Sequence, residues 1–260
     1  MGRRVQICIV AVPEGQLRHE HDMRERRIRK LQGHPKPDYT YVLGGDPSGG
    51  TGNDDAAIIG LCIETLEQVY AFNDNTTNPV EYGYLMARTG KEYNEAYLVC
   101  EANNHGLSVH PILEREYTKT QIFKRSWRTS TGVTSKYGFM TTNNTKQLLV
   151  GAITDLLDYG LTLYDRETTD ALLEFEEDDK GKIGGEGDHL VIALGMAAIG
   201  VMKKGGAHLA QVQLPDRETH KEKILRLMNE NQMVMNGDEV LTNIKDKQRR
   251  QLGRFRRQVA

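Results

Sequence analysis

Three acids in this chain stand where surface acids are seldom found. Asp46 follows a short β-type run, Tyr39 to Gly45, and opens the glycine-rich segment Asp46-Pro-Ser-Gly-Gly-Thr-Gly52. Glu101 follows Ala96-Tyr-Leu-Val-Cys100, a nearly continuous apolar run that reads as a strand buried on both faces. Asp188 stands between a stretch with four glycines (residues 181–187) and an apolar helix beginning Leu190-Val-Ile-Ala193. If the strands before Asp46 and Glu101 are neighbours, the two carboxylates emerge side by side at one sheet edge, and the helix of Asp188 lays its start against them. Like charges a few ångströms apart raise one another's pKa values unless a cation intervenes. Hard oxygen ligands without thiolates suit Mg²⁺ or Mn²⁺ rather than zinc. Two such ions about 3.5–4 Å apart activate a water and stabilise a leaving oxygen in phosphodiester hydrolysis. Each acid alone has a plainer reading. Asp46 serves a turn before Pro47, and Asp188 serves a helix macrodipole. Glu101 is the hardest to explain away, because a charge ending a buried strand costs free energy unless it is paired. The combination is what points to chemistry.

The elements that position these acids follow from periodicity. Residues 39–45, 56–64 and 67–73 read as three consecutive strands, the last two joined by only two residues and so antiparallel. Residues 79–92 allow a helix, 96–100 a buried strand and 105–116 a short helix. The expected fold class is therefore α/β: a mixed sheet in which an antiparallel three-strand meander is extended by parallel strands, with helices on both faces. Residues 121–141, which hold the single tryptophan Trp127, read as an irregular excursion. Thr142-Asn-Asn-Thr145 caps a helix at 146–159, with Gly160 past its end. Leu161–Tyr164 reads as a short strand. Residues 165–179, with eight acids and one base, read as a solvated acidic face, and 188–203 as the closing helix.

The 260 residues suffice for a sizeable core, and 38% hydrophobic with 27% charged content fits a soluble protein. Three scattered cysteines (Cys8, Cys62, Cys100) make no disulfide framework or thiolate zinc site. No run is long enough to span a bilayer, and the N-terminus lacks the pattern of a signal peptide. The net charge of −2 is unevenly spread: residues 1–36 hold nine Lys/Arg against four Asp/Glu, and residues 245–260 seven against one. An acidic body between basic ends suits an enzyme that binds cations with carboxylates and reaches a polyanion with its flanks. The expected organisation is a basic N-terminal segment and linker (1–37), a central domain (38–204) and a C-terminal extension with a basic tail (205–260). There is no Walker A loop and no Gly-x-Ser-x-Gly elbow, so ATP hydrolysis and serine-hydrolase chemistry are not expected. His105, His110 and His208 read as solvated or capping residues.

In order, these segments resemble the C-terminal nuclease domain of the large terminase subunit of tailed bacteriophages. The matching pieces are Gly45-Asp46-Pro47-Ser48-Gly49 followed by Asp54-Asp55-Ala-Ala-Ile-Ile; Glu101-Ala-Asn103-Asn-His-Gly106; Lys136 to Thr142 leading to Thr145-Lys146; and Gly187-Asp188-His189-Leu-Val-Ile-Ala193. The resemblance covers roughly residues 38–204. It implies an RNase H-like fold and a metal-dependent endonuclease, using two Mg²⁺ or Mn²⁺ ions, that cuts concatemeric double-stranded viral DNA at the start and end of head filling.

Carried over by position, Asp46, Glu101 and Asp188 are the metal-binding catalytic acids, with Asp46 bridging both ions. Either Asp54 or Asp55 matches a further acid. His189 stands where the family usually has a second acid and is a candidate to reach a metal or the scissile phosphate. Lys136 and Lys146 match family positions, and with Arg125 and Arg128 they are the expected DNA-phosphate contacts, giving affinity that falls steeply with salt. The resemblance further implies a small terminase subunit, a portal protein and a packaging ATPase domain or subunit as partners, and action in the host-cell cytoplasm without a membrane. Residues 1–36 are too few to be that ATPase. Three rivals stand beside this reading: a motor or portal docking module without catalysis, a junction resolvase or RNase H of the same fold, and a DNA-binding domain with no metal.

Overall fold

The computed structural model describes residues 27–31, 33–130, 132–177, 183–184 and 188–209. At its centre is a five-stranded sheet of β1 (Ile28–Lys30), β2 (Tyr41–Asp46), β3 (Ala56–Cys62), β4 (Gln68–Asp74) and β5 (Tyr97–Cys100), in the spatial order β1-β4-β3-β2-β5. Only β2 and β5 run parallel; the other pairs are antiparallel. The crossover between β4 and β5 is α1 (Pro79–Glu92), which starts where the Asn78 side chain accepts the Val80 and Glu81 amides, each at 3.0 Å. After β5 come α2 (Gly106–Glu116), a hairpin of β6 (Lys124–Thr129) and β7 (Gly132–Tyr137), α3 (Asn143–Asp158) and α4 (Arg166–Glu174). The two-residue strands β8 (Glu176–Glu177) and β9 (Ile183–Gly184) precede α5 (Asp188–Lys204) and the short α6 (Gly206–Leu209).

The period-two alternation of the strands divides the core between two helical layers. Val42, Ala57, Ile59, Leu61, Tyr97 and Val99 face the cluster built by α3, α4 and α5. Tyr41, Leu43, Ile58, Leu98 and Cys100 face the opposite cluster, closed by Tyr82 and Met86 of α1 and Val109 and Leu113 of α2. Burial on both faces is why these strands read as continuous apolar runs. Of the cysteines, Cys62 and Cys100 are buried and free.

One close approach sets the position of α5. A Cβ at Gly44 would lie 2.0 Å from the Ala193 carbonyl oxygen and 2.3 Å from the Ala197 amide nitrogen. The helix backbone therefore rests directly on the peptide of β2, which no residue but glycine permits. Among the described residues no helix is long and apolar enough to cross a membrane.

The mixed sheet with helices on both faces is the expected architecture, and the differences are local. The β3–β4 connection is five residues rather than two, because Leu66 takes φ 51° and the Glu67 carbonyl turns back to accept the Cys62 amide at 2.9 Å. Residues 121–141 are not irregular: they contain the β6–β7 hairpin, whose strands are polar on both faces and so carry no hydrophobic alternation to read. The helix α3 begins three residues earlier than expected, with Thr142 itself as N-cap of a capping box with Thr145. Leu161–Tyr164 is not a strand; only Thr162 makes a parallel bridge, to Glu67.

Residues 165–174 are a solvated face only in part: Glu167, Asp170 and Glu174 are exposed on α4, but Asp165 is not. Asp165 caps α4 while only 4% exposed, and it accepts both the Nε and an Nη of Arg29, at 2.5 and 3.0 Å. Arg29 lies on β1, within the segment expected to be a linker. The boundary at residue 37 thus falls inside the fold, since β1 pairs with β4 through Ile28–Phe72 and Lys30–Tyr70. At the other end, Leu209 of α6 is buried against the α5 side of the core, past the expected boundary at 204. Residues 1–26 and the tail from 210 onward lie outside the described residues.

Candidate active site

The parallel pairing of β2 with β5 brings two of the acids together. Gly45 is in register with Cys100, and the Glu101 amide donates to the Gly45 carbonyl at 2.9 Å, so Glu101 leaves β5 beside Asp46 at the end of β2. The third comes from above. With α5 seated on Gly44, its first turn overhangs the same edge, and His189 Nδ1 lies 2.8 Å from Asp46 Oδ2. Asp188, the first residue of α5, lies 4.0 Å (Oδ1) from His189 Nε2, and its Oδ2 accepts a bond from Lys146 Nζ at 3.2 Å. Glu101, Asp46, His189, Asp188 and Lys146 thus follow one another as polar neighbours from β5, β2, α5 and α3, hydrogen-bonded except across the 4.0 Å between His189 and Asp188.

Its electrostatics are strained. Asp46 is 6% exposed. Burial first, and then the neighbouring Asp46 carboxylate, push the Glu101 carboxyl up to about 8. His189 is raised to about 9: its hydrogen bond to Asp46 and the charges of Asp46, Asp188 and Asp54 outweigh the opposing effect of burial. The acids are dense enough that the protein places two of its own cationic side chains among them. The donor set of carboxylate oxygens and one imidazole suits a hard divalent ion, whose charge would relieve the repulsion between Asp46 and Glu101. As the side chains stand, no three His, Cys, Asp or Glu groups among the described residues are arranged to hold a metal ion. His189 and Lys146 take up the carboxylates instead.

Of the adjacent acids, Asp55 accepts a bond from Asn73 Nδ2 at 3.4 Å, and Asn73 in turn accepts from Arg29 at 2.7 Å. Asp54 is exposed, and its charge is felt at His189. The expected phosphate contacts separate into two groups. Arg125, Arg128 and Lys136 are on the β6–β7 hairpin, where Arg125 pairs with Lys136 across the ladder and also donates to the Gly138 carbonyl at 3.2 Å. Lys146 is instead at the acids, with its side chain 20% exposed.

Two residues support Glu101, and one of them, His110, is not the solvated or capping residue expected. His110 is buried, with Nε2 3.0 Å from the Glu101 carbonyl oxygen. Burial lowers its pKa, so the neutral ring donates here. Its spacing from Gly106, Val109 and Leu113 on the buried stripe of α2 was the available signal. Asn103 Nδ2 donates to the Thr141 carbonyl at 2.5 Å, and a bridge joins Glu101 to Phe139. The chain leaving the hairpin is thus stitched to the segment carrying Glu101. No spacing rule reveals that contact.

The family model of the terminase RNase H-like domain matches residues 43–200, a span that includes Asp46, Glu101, Asp188 and His189. The chain belongs to that family. No curated protein matches it. Among solved structures, the large terminase nuclease from thermophilic phage G20c with bound cobalt, and the same nuclease with bound magnesium, each superpose with a TM-score of 0.54 at 16% identity, over 71% of this chain and 90% of that one. A further structure of the G20c nuclease gives a TM-score of 0.50 over 70% and 91%. At that identity the likeness is one of fold, and it is the RNase H-like terminase nuclease fold.

Proposed function

We propose that this chain is a divalent-metal-dependent endonuclease that cuts concatemeric double-stranded viral DNA during genome packaging. The observation that carries this reading is the pairing of Asp46 and Glu101 at the ends of neighbouring strands, where burial and the acidic neighbour push the Glu101 carboxyl up to about 8, with His189 against Asp46 and Asp188 4.0 Å beyond the imidazole. Asp46, Glu101 and Asp188 are the groups that would hold Mg²⁺ or Mn²⁺, and Asp54, whose charge is felt at His189, is the better placed of the adjacent pair to assist. Structures of the G20c terminase nuclease with magnesium and cobalt support a divalent ion in such a fold. Bound there, the ions supply charge neutralisation for in-line attack of water on the phosphodiester. The protein's own part is to fix the acids on rigid elements, to orient Asp46 through His189, and to present DNA.

Presentation falls to a strongly basic stretch. Between Glu116 and Asp155 the chain has six Lys/Arg and no acid, and four of the six (Lys124, Arg125, Arg128, Lys136) are on the hairpin. These side chains lie along an exposed two-stranded ribbon carrying Trp127, suited to phosphate contact rather than base readout. Site choice would then come from a small terminase subunit, with a portal protein and packaging ATPase completing the machine in the host-cell cytoplasm. The test is nicking and linearisation of a supercoiled plasmid with Mg²⁺ or Mn²⁺. Wild type cuts and Glu101→Ala does not; equal cutting by both removes the reading. Four-way junctions and RNA–DNA hybrids run alongside, and preferential cutting of either shifts the assignment to a resolvase or an RNase H.

A further inference from the structure

We propose that Lys146 is a tethered stand-in for a divalent ion at Asp188: its ammonium neutralises the carboxylate in the metal-free protein and must be displaced when metal loads. This rests on the nuclease reading above and adds to it a determinant of metal affinity.

The pair is built in by helix packing. A Cβ at Gly195 would lie 2.6 Å from the Leu149 Cβ, so α3 and α5 cross in close contact at that point. Lys146 is three residues before Leu149 and Asp188 seven before Gly195, so each lies on the face of its helix that meets the other. The capping box of Thr142 and Thr145 fixes the turn from which Lys146 projects. The result is Nζ at 3.2 Å from Asp188 Oδ2, with both side chains mostly covered (20% and 26% exposed). The other Asp188 oxygen faces His189, and His189 faces Asp46. Lys146 therefore satisfies the one acid of the three that, among the described residues, makes no hydrogen bond to the imidazole or to another carboxylate. An oxygen accepting an ammonium proton at that distance is not free to ligate a divalent ion along the same direction, so the two cations compete. Once exchanged, the ammonium remains tethered a few ångströms from the acids, where a scissile phosphate would meet it.

The experiment is calorimetric titration with Mn²⁺ alone of the metal-stripped full chain at low salt. Wild type, Lys146→Gln, Lys146→Arg and Asp188→Asn are compared. Lys146→Gln is expected to bind Mn²⁺ about fivefold more tightly, the scale of a partly exposed ion pair. Lys146→Arg, which keeps the charge, returns the affinity toward wild type, and Asp188→Asn loses the tightening when combined with Lys146→Gln. Lys146→Met preserves the aliphatic stem and should match the Gln variant, guarding against a packing defect. If wild type binds saturably and Lys146→Gln binds equally or more weakly, the stand-in role is wrong while the nuclease reading survives. If wild type shows no saturable Mn²⁺ binding at all, the nuclease reading fails and takes this inference with it.

Discussion

Two charged clusters in this molecule are built on opposite principles. Around Arg29, every charge has its partner: the guanidinium bonds both oxygens of Asp165 and the Asn73 side-chain carbonyl, while Gln68 and Thr168 complete the bonding of the Asp165 segment. At the sheet edge, Asp46 and Glu101 are pressed together, and protein cations are drawn in to relieve them. The first arrangement ties β1 and β4 to α4 and asks nothing of solvent. The second is a cluster whose full charge is tolerated only when something positive arrives. A satisfied buried network reads as architecture, and an overcharged one reads as a candidate functional site.

The largest expected effect separates the two by activity. Asp46→Asn should lower cleavage at saturating Mn²⁺ by about 10³-fold or more, as removal of several kcal/mol of charge stabilisation implies. The same change relieves Glu101 but weakens the bond to His189, so the melting temperature should move little. Arg29→Ala should do the reverse. Leaving Asp165 buried without its partner costs about 3 kcal/mol in urea denaturation, while the cleavage rate per folded molecule is retained. If Arg29→Ala proved harmless to stability, the contrast between the clusters would collapse.

A smaller effect is read from pH. The Glu101 carboxyl, at about 8 when folded against 4.5 ordinarily, keeps a proton that the unfolded chain releases, so stability falls as pH rises through that window. His189 is raised from 6.5 to about 9, so its stabilising contribution is complete below 6.5 and is lost as pH rises through 9. Both signs agree. Metal-free protein should melt at progressively lower temperature from pH 5 to 9, and Glu101→Gln should flatten the part below pH 8. Saturating Mg²⁺ or Mn²⁺ should reverse the trend. A metal-free melting temperature that climbs with pH would contradict the strain assigned to this cluster. The smallest effect belongs to the hairpin. Combined Arg125→Ala, Arg128→Ala and Lys136→Ala should reduce the slope of log affinity for duplex DNA against log salt by about 0.9 for each phosphate no longer neutralised. Mn²⁺ titration should be unmoved, and thermal melts should shift only by the loss of the Arg125 bond to the Gly138 carbonyl.

The sequence exposed the overcharged cluster far better than the satisfied one. Asp46, Glu101 and Asp188 are conspicuous because each ends or begins an apolar segment, and that anomaly survives without knowing any contact. The strands and helices around them were legible for the same reason: buried strands and capped helices leave periodic traces. Arg29 and Asp165 left none. Each lies in a charge-dense stretch where composition suggests solvent, and their pairing spans 136 residues. The hairpin was hidden differently, by being polar on both faces. His110 was concealed inside an otherwise apolar stripe, where a histidine is easily passed over as an exception.

The seat of α5 on Gly44 has a further implication. The separation between the acid that ends β2 and the residues that begin α5 is set by the thickness of a bare peptide, several ångströms away along the strand. A position with no side chain, no charge and no reactive atom thereby acts as the gauge block of the candidate site. One methyl group inserted there would lift a whole helix and open the distance between Asp46 and His189, without touching either side chain.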